Sequence, residues 1–584
     1  MRFRSGLLAT CVVPLALCAG TGSAMAGEST TFKERCAAIA SVMQGRWPAP
    51  STRIQSASFM PDGSEPQFDP FEFKPNPTPR LKAHCLVDAT MAERTGIEGQ
   101  HYAIRFRMRL PLDWNGRFLF QGGGGTNGNI GHALGLVPGA GLTDPALNQG
   151  YAVVSQDSGH DNATNTDPAR GGPMAFGWDP EARRNYAYAS LQSIAEGAKA
   201  LVGGFYGRAA DRSYFAGCSK GGQEGLMFAQ RFPETFDGIV AGAPGMSLPR
   251  AALAQNWDVQ VFGTLLTADA SGQRSVFDLA KVFSEQDFAL VRQAVLDACD
   301  ADDGVVDGIV GRYAHCSPAR VERALEKVTC GTGKSGVCVT TAKLTALTRS
   351  LAGPRGKDGA ALYTDWPWDT GIGSQDWSVW KLGLAQPPMP PLNVVVGGGA
   401  LHGIFSTTPR SLGAGPQEIF EQQLAFDFIK DGDLIYRVSA PFTASAWEEM
   451  SARSPDIDSF RARGAKLIVP HGVSDPVFSI HDTVSWFREV DSRYTGRAGD
   501  FVRVFPVPGM GHCGNGPATD RFPAFQAMVD WVEKGKAPDR MTATAGPDSP
   551  WPGRTRPLCS YPAYARYDGK GDKEAAESFQ CVGE

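Results

Sequence analysis

Beyond its N-terminal segment the chain has no apolar run long enough to cross a bilayer, which excludes a transmembrane helix there. It also has no marked excess of one charge: 56 Lys and Arg stand against 61 Asp and Glu, a formal net charge of -5 over 584 residues. That balance gives no reason to expect a nucleic acid or an anionic lipid surface as partner. Internal repeats and low-complexity tracts are missing too, so a repeat array is excluded. What is present reads as globular, with 42% hydrophobic and 20% charged residues. The length exceeds one ordinary core, so two domains are expected, and 69 Gly with 41 Pro predict many loops.

The first residues read as an export signal. Arg2 and Arg4 form a basic start, Leu7 to Leu17 is mostly apolar, and Ala24-Met25-Ala26 is a small-residue cleavage site before Gly27. The run is too short for a membrane anchor. Acylation at Cys18 is disfavoured by Leu17, which stands where a small residue is needed. Secretion or periplasmic export follows, and it changes the meaning of the cysteines. Of 12, Cys11 and Cys18 leave with the signal, and an even set remains for an oxidising compartment. Proximity pairs Cys299 with Cys316, Cys330 with Cys338 and Cys559 with Cys581. Cys36, Cys85, Cys218 and Cys513 are left over.

From about Cys85 to Gly245 short apolar strands alternate with helical segments, the rhythm of a mostly parallel sheet covered on both faces. Tyr102–Leu110 alternates at period two, Arg117–Gln121 and Tyr151–Ser155 read as buried strands, and Asn185–Phe205 has helical spacing. The rhythm stops after Pro244. A long Gly-, Pro- and Trp-rich insert without strand alternation runs to about Ala440, and strands resume at Ala465–Pro470 and Phe501–Phe505. The expected architecture is an α/β-hydrolase domain in two parts, 27–245 and 441–584, interrupted by a lid domain, 246–440, after a signal peptide, 1–26.

The chemistry concentrates at Gly217-Cys218-Ser219-Lys220-Gly221, a G-x-S-x-G sequence between a strand and a helix. That sharp turn raises a nucleophilic serine above a sheet. Serine is a weak nucleophile and needs a base, and the base needs an orienting carboxylate. The order on this fold is serine, acid, histidine, with acid and histidine on loops after late strands. Asp475 and His512 occupy those places, which assigns Ser219 as nucleophile, His512 as base and then acid, and Asp475 as orienter. Among the other histidines, His160 precedes the serine, and His471 stands too close to Asp475 to be its partner from a separate loop; His481 is a third rival. The four glycines Gly122 to Gly125 follow an early strand, where backbone N–H groups can approach a developing oxyanion; Gly125 and the N–H of Lys220 are the expected donors. Because Ser219 and His512 must touch, their neighbours Cys218 and Cys513 are expected to be bonded, which leaves Cys36 with Cys85.

In the insert, Asp300-Ala-Asp302-Asp303-Gly304-Val305-Val306-Asp307-Gly308-Ile309 packs carboxylates into a Gly-turned loop. Hard oxygen donors in a flexible loop suit Ca²⁺, although the closing Glu of an EF-hand is absent. Asp300, Asp303 and Asp307 would supply side chains, and Val305 and Ile309 carbonyls, for a structural ion.

Taken together, Cys218-Ser219, Asp475, His512-Cys513, the acidic loop 300–309 and the tail around Arg554-Thr-Arg-Pro-Leu-Cys559 resemble the tannase and feruloyl esterase family across essentially the whole mature chain. The resemblance implies a lid over the site, hydrolysis of esters of aromatic acids, and the same five disulfides. It also implies that Phe478 stacks on the acyl ring and that Trp380 in the lid forms a second wall. One departure stands out. Family members that take terephthalate monoesters carry a lid arginine for the free carboxylate, and the corresponding stretch here, Pro391-Leu-Asn-Val-Val-Val-Gly-Gly-Gly-Ala400, has none; Arg410 is the nearest downstream. A feruloyl- or galloyl-type ester is therefore favoured over mono(2-hydroxyethyl) terephthalate. A non-catalytic calcium-dependent binding protein and a serine peptidase on the same scaffold are the other readings; a monomer acting on a small aromatic ester is expected.

Overall fold

The computed structural model describes residues 21–66, 78–139, 144–331, 337–413 and 415–583. The expected signal segment falls largely outside these residues, and the side chains of 21–30 are likewise not described. Nine strands form one mixed sheet in the order β1-β2-β3-β5-β4-β6-β7-β8-β9. β1 (Arg53–Met60), β2 (His84–Thr95) and β3 (His101–Pro111) run antiparallel, and β3 meets β5 (Ala152–Gln156) antiparallel. From β5 onward the pairing is parallel, through β4 (Arg117–Gln121), β6 (Arg212–Cys218), β7 (Gly238–Gly242), β8 (Lys466–Gly472) and β9 (Val502–Val507).

The period-two rule assigns the two faces. In β4, Phe118 and Phe120 enter one apolar layer with Phe215 and Phe228, while Leu119 enters the opposite layer with Tyr214 and Ile468. Helices cover both layers: Ser190–Tyr206 and Lys220–Arg231 on the first, Ala524–Lys534 on the second. The sheet is continuous between β7 and β8, but the chain is not: β7 pairs directly with a strand more than two hundred residues later.

The segment between them is helical rather than irregular. It contains long helices, Leu248–Gly263 and Glu285–Cys299, and many short ones such as Gln375–Lys381 and Ala446–Met450. Side chains of Ser374 and Ser445 cap the short helices, satisfying N–H groups that such brief elements leave open. Trp366, Trp368 and Trp377 are buried in an apolar cluster that this segment shares with Phe176, Tyr186 and Phe478 of the sheet-bearing part. Five disulfides are present: Cys36–Cys85, Cys218–Cys513, Cys299–Cys316, Cys330–Cys338 and Cys559–Cys581. Among the described residues no helix is long and apolar enough to cross a membrane.

Candidate active site

β6 runs into Ser219, whose backbone takes φ 66° and ψ -122°, and the helix Lys220–Arg231 starts immediately after it. This is a sparsely populated conformation for a residue with a side chain, and the close packing of the flanking glycines holds it. A Cβ on Gly217 would sit 2.8 Å from the carbonyl carbon of Gly221, and one on Gly221 would sit 2.7 Å from the Gly123 oxygen. The two flanking glycines are therefore steric requirements of the turn.

Ser219 Oγ lies 2.8 Å from His512 Nε2, and His512 Nδ1 lies 2.8 Å from Asp475 Oδ2. The three side chains come from the ends of β6, β8 and β9, brought together although Ser219 and His512 are 293 residues apart. Asp475 is 1% exposed, and its Oδ1 accepts from the N–H groups of Val477 at 2.8 Å and Phe478 at 3.0 Å. Burial alone would raise its pKa, but the facing His512 and the hydrogen bonds from His471 and His512 hold it well below the usual carboxylate range. For His512, burial works against the imidazolium, yet Asp475 and the more distant Asp376 outweigh it and raise the pKa above the ordinary value.

The rival histidines take supporting positions. His471 is fully buried, in contact with Thr483 at 2.9 Å and the Phe478 carbonyl at 3.0 Å, and its Nε2 lies 3.4 Å from Asp475 Oδ2. His160 stacks on Phe176 at 3.7 Å, and burial depresses its pKa to about 3. His481 pairs with Asp365 at 3.1 Å.

The glycine loop sorts itself by its hydrogen bonds. Gly122 N–H goes to the Ala216 carbonyl at 2.9 Å and Gly123 N–H to Glu224 Oε2 at 2.9 Å. Gly125 lines the same cavity as Ser219 and Lys220, and its φ of +56° is a conformation that favours glycine. Lys220 N–H belongs to the first helical turn, where no intrahelical acceptor exists. The Lys220 side chain is buried and turned away, 3.1 Å from Glu224 Oε1 and over the Tyr186 ring at 4.7 Å.

Phe478 and Trp380 both line the cavity and both face the imidazole edge-on, with ring centroids 5.4 and 5.5 Å from His512. Arg410 is not part of the lining; it pairs with Asp431 at 2.6 Å.

Three lid residues that a reading of the sequence did not single out hold the catalytic loops. Asp376 Oδ2 accepts from the His512 N–H at 2.7 Å. Asp369 Oδ2 accepts from Ser474 Oγ and from Gly509 N–H, both at 2.7 Å, bridging the acid loop to the histidine loop. Trp366 donates its indole N–H to the Asp475 carbonyl at 2.9 Å. The lid thus supports the site as well as roofing it.

In the acidic loop, Asp300, Asp303 and Asp307 are 4%, 3% and 8% exposed. Asp307 pairs with Arg556, and Asp300 accepts from Gly308 N–H at 3.0 Å. No group of three or more His, Cys, Asp or Glu side chains forms a ready-made metal cage among the described residues. Asp303 has no basic partner in contact, and burial, with the charges of Asp307 and Asp300 added, pushes its pKa up to about 7. The Ile309 carbonyl accepts from Gly311 N–H at 3.0 Å. The donor chemistry, carboxylate and carbonyl oxygen around a buried carboxylate, fits a hard cation.

Comparison with known proteins agrees with this geometry. At the level of fold, the chain superposes on feruloyl esterase B from Aspergillus oryzae with a TM-score of 0.71 at 22% identity, covering 94% of this chain and 100% of that one. Tannin acyl hydrolase from Aspergillus niger superposes with a TM-score of 0.63 at 21% identity, covering 94% and 96%. In sequence, the chain is 41% identical to mono(2-hydroxyethyl) terephthalate hydrolase of Piscinibacter sakaiensis over 86% of this chain and 85% of that protein. It is 29% identical to a probable feruloyl esterase of Arthroderma benhamiae over 88% of each. The profile described as "Tannase and feruloyl esterase" matches residues 90–582, so the chain belongs to the tannase and feruloyl esterase family of ester hydrolases.

Proposed function

We propose that the protein is an exported serine esterase that hydrolyses esters of aromatic carboxylic acids, of feruloyl or galloyl type, through an acyl-enzyme. The observation that carries this reading is the hydrogen-bonded series Ser219–His512–Asp475 in a cavity walled by Phe478 and Trp380. Ser219 Oγ attacks the ester carbonyl while His512 Nε2 takes its proton. The carbonyl oxygen becomes an oxyanion held by the N–H groups of Gly125 and Lys220. His512 returns the proton to the leaving alcohol, and the imidazolium formed on the way is stabilised by buried Asp475. Water then attacks the acyl carbonyl while giving a proton to His512, and His512 passes that proton to Ser219 Oγ as the acyl carbon–Oγ bond breaks, which releases the acid and regenerates Ser219. Flat aromatic walls suit an aryl acyl group. Five disulfides support an oxidising destination. Asp300, Asp303 and Asp307, with the carbonyls of Val305 and Ile309, would hold a structural Ca²⁺ that neutralises the buried acidic cluster and takes no part in the ester chemistry.

A second reading, hydrolysis of mono(2-hydroxyethyl) terephthalate, is favoured by the 41% identity to the enzyme of that name. Against it, the cavity lining contains no arginine, and its one lysine is committed to Glu224. A buried carboxylate without a cation is costly. The deciding experiment is kcat/KM of the mature protein on methyl ferulate, methyl gallate and mono(2-hydroxyethyl) terephthalate, with Ser219→Ala as blank. Preference for the phenolic esters supports the first reading and preference for the terephthalate monoester the second. Activity on none, or activity that persists in Ser219→Ala, sinks both.

A further inference from the structure

The helix Leu248–Gly263 enters the lid beside the catalytic residues and turns one face to the cavity. Leu248, Ala252 and Gln255, spaced at i, i+4 and i+7, all line it. Leu248 marks the catalytic end: it and Phe478 both abut Gly245, where a Cβ would lie 2.6 Å from the first and 2.8 Å from the second. Gln255 stands about 10 Å further along the helix axis, at 1.5 Å rise per residue. Its surroundings there are apolar or bare backbone. Val396, Gly397 and Ala400 line the same cavity, and a Cβ on Gly397 would lie 2.2 Å from Gln255 Oε1, so the absent side chain makes room for the amide.

Gln255 is 7% exposed and lines the cavity; among the described residues its side-chain amide takes part in no hydrogen bond, whereas the amides of neighbouring Asn256 and Gln260 both donate to the Gln423 carbonyl. Apart from the Thr126 hydroxyl, the cavity's other polar side chains are committed: Lys220 to Glu224, Tyr186 to the Gly125 carbonyl at 3.3 Å, and Ser219 to His512. An amide that opens onto a cavity and has no partner in the protein can be satisfied by a polar group of whatever the cavity holds.

We infer that Gln255 is a specificity-determining residue that recognises a phenolic hydroxyl at the far end of the acyl ring, an inference that rests on the aromatic-esterase reading and narrows it to hydroxylated aryl esters. An amide presents one acceptor and two donors on a single plane. A phenol can give its proton to Oε1 and accept one from Nε2. A carboxylate has no proton to give at neutral pH and leaves Oε1 facing a negative charge. An unsubstituted ring leaves both amide groups unpaired, and a site built to bond a hydroxyl rejects the analogue that lacks it far more strongly than an apolar pocket rejects a missing methylene.

The test compares kcat/KM on methyl 4-hydroxycinnamate, methyl 4-methoxycinnamate and methyl cinnamate for the wild type, Gln255→Leu and Gln255→Met. The wild type is expected to favour the hydroxylated ester by about tenfold or more over both others. In either variant that preference should fall to within about twofold, mainly through loss on the hydroxylated ester. The ratio of two substrates in one preparation does not depend on how much protein is folded, so a poorly folding variant still gives an answer. Equal rates on all three esters in the wild type, or a preference that survives in both variants, overturns the role of Gln255 and leaves the esterase reading intact. Failure of the wild type to cleave any of the three removes both.

Discussion

Asp376, carried by the lid, accepts a hydrogen bond at 2.7 Å from the backbone N–H of His512, the residue placed to act as base. The approach is so close that a Cβ on the preceding Gly511 would lie 2.3 Å from the same carboxylate oxygen. One lid side chain therefore fixes the histidine loop and adds negative charge beside the imidazole.

The consequence for pH dependence can be worked out in sign. His512 must be neutral to accept the serine proton, so kcat/KM falls on the acid side as His512 becomes protonated. Asp475 and Asp376 raise its pKa, which places that acid limb above the ordinary histidine value. Asp376→Asn removes one raising charge and keeps the shape. Its acid limb should move to lower pH, while activity on the alkaline plateau drops several-fold because the loop anchor is weaker. Asp376 itself, pushed up by burial to about 6, adds a second ionisation to the wild-type limb, which the variant should lose. A pH–rate profile that superposes on the wild type would show that Asp376 does not act on His512.

Cys218 and Cys513 flank the nucleophile and the base, and their bond closes a span of 295 residues. In the chain-entropy account a loop of that size contributes roughly 5 kcal/mol before strain is subtracted. Cys218→Ser with Cys513→Ser should lower Tm. It should also lower kcat by about tenfold or more at temperatures where the protein is still folded, because the two loops lose a direct covalent tie. Loss of Tm at unchanged kcat would restrict the bond to stability.

What was legible in the sequence follows a physical division. The serine turn, the strands before it and the order Ser219, Asp475, His512 were readable because each depends on local pattern: a glycine pair, an apolar run, a turn. The pairing of Cys218 with Cys513 was readable because it is a corollary of that order. β1 was not, since most of its residues are exposed or half-buried and show no clean alternation. The insert shows no helical rhythm in its sequence because several of its helices, such as Phe428–Asp431, are too short to display a 3.6-residue period. Asp369, Asp376 and Gln255 left no trace at all. A polar residue looks like surface in a sequence, whether in a loop as Asp369, on a short helix as Asp376 or on a long one as Gln255, until the fold shows what it faces; Asp376 meets His512 across 136 residues.

For the acidic loop, calcium should stabilise through binding to the folded state alone. Chelation is expected to lower Tm by a few degrees, with recovery on adding Ca²⁺ and little change in kcat at temperatures where the protein remains folded. In Asp303→Asn the buried carboxylate and its repulsion from Asp300 and Asp307 are gone, so Tm should become insensitive to chelator. A wild type whose Tm ignores both chelator and Ca²⁺ would remove the ion from the account.

Glu224 joins the glycine loop 122–125 to the helix that follows Ser219. Its Oε2 accepts from Gly123 N–H at 2.9 Å, and its Oε1 accepts from Asn127 Nδ2 and from Lys220 Nζ, each at 3.1 Å. Glu224→Gln replaces one accepting oxygen by an NH₂ group, which must then face a donor, and it leaves the Lys220 ammonium buried without a counter-charge. Removing one partner of a buried pair typically costs about 3–5 kcal/mol. The variant should therefore lose stability and, with the glycine loop released, lose about ten- to a hundredfold in kcat with a smaller change in KM. Adding Lys220→Met removes the stranded charge and should restore much of the stability. It should not restore kcat, because the Gly123 N–H still lacks its carboxylate acceptor. Recovery of both together would mean that Glu224 serves only to neutralise Lys220, and that the glycine loop holds its shape without it.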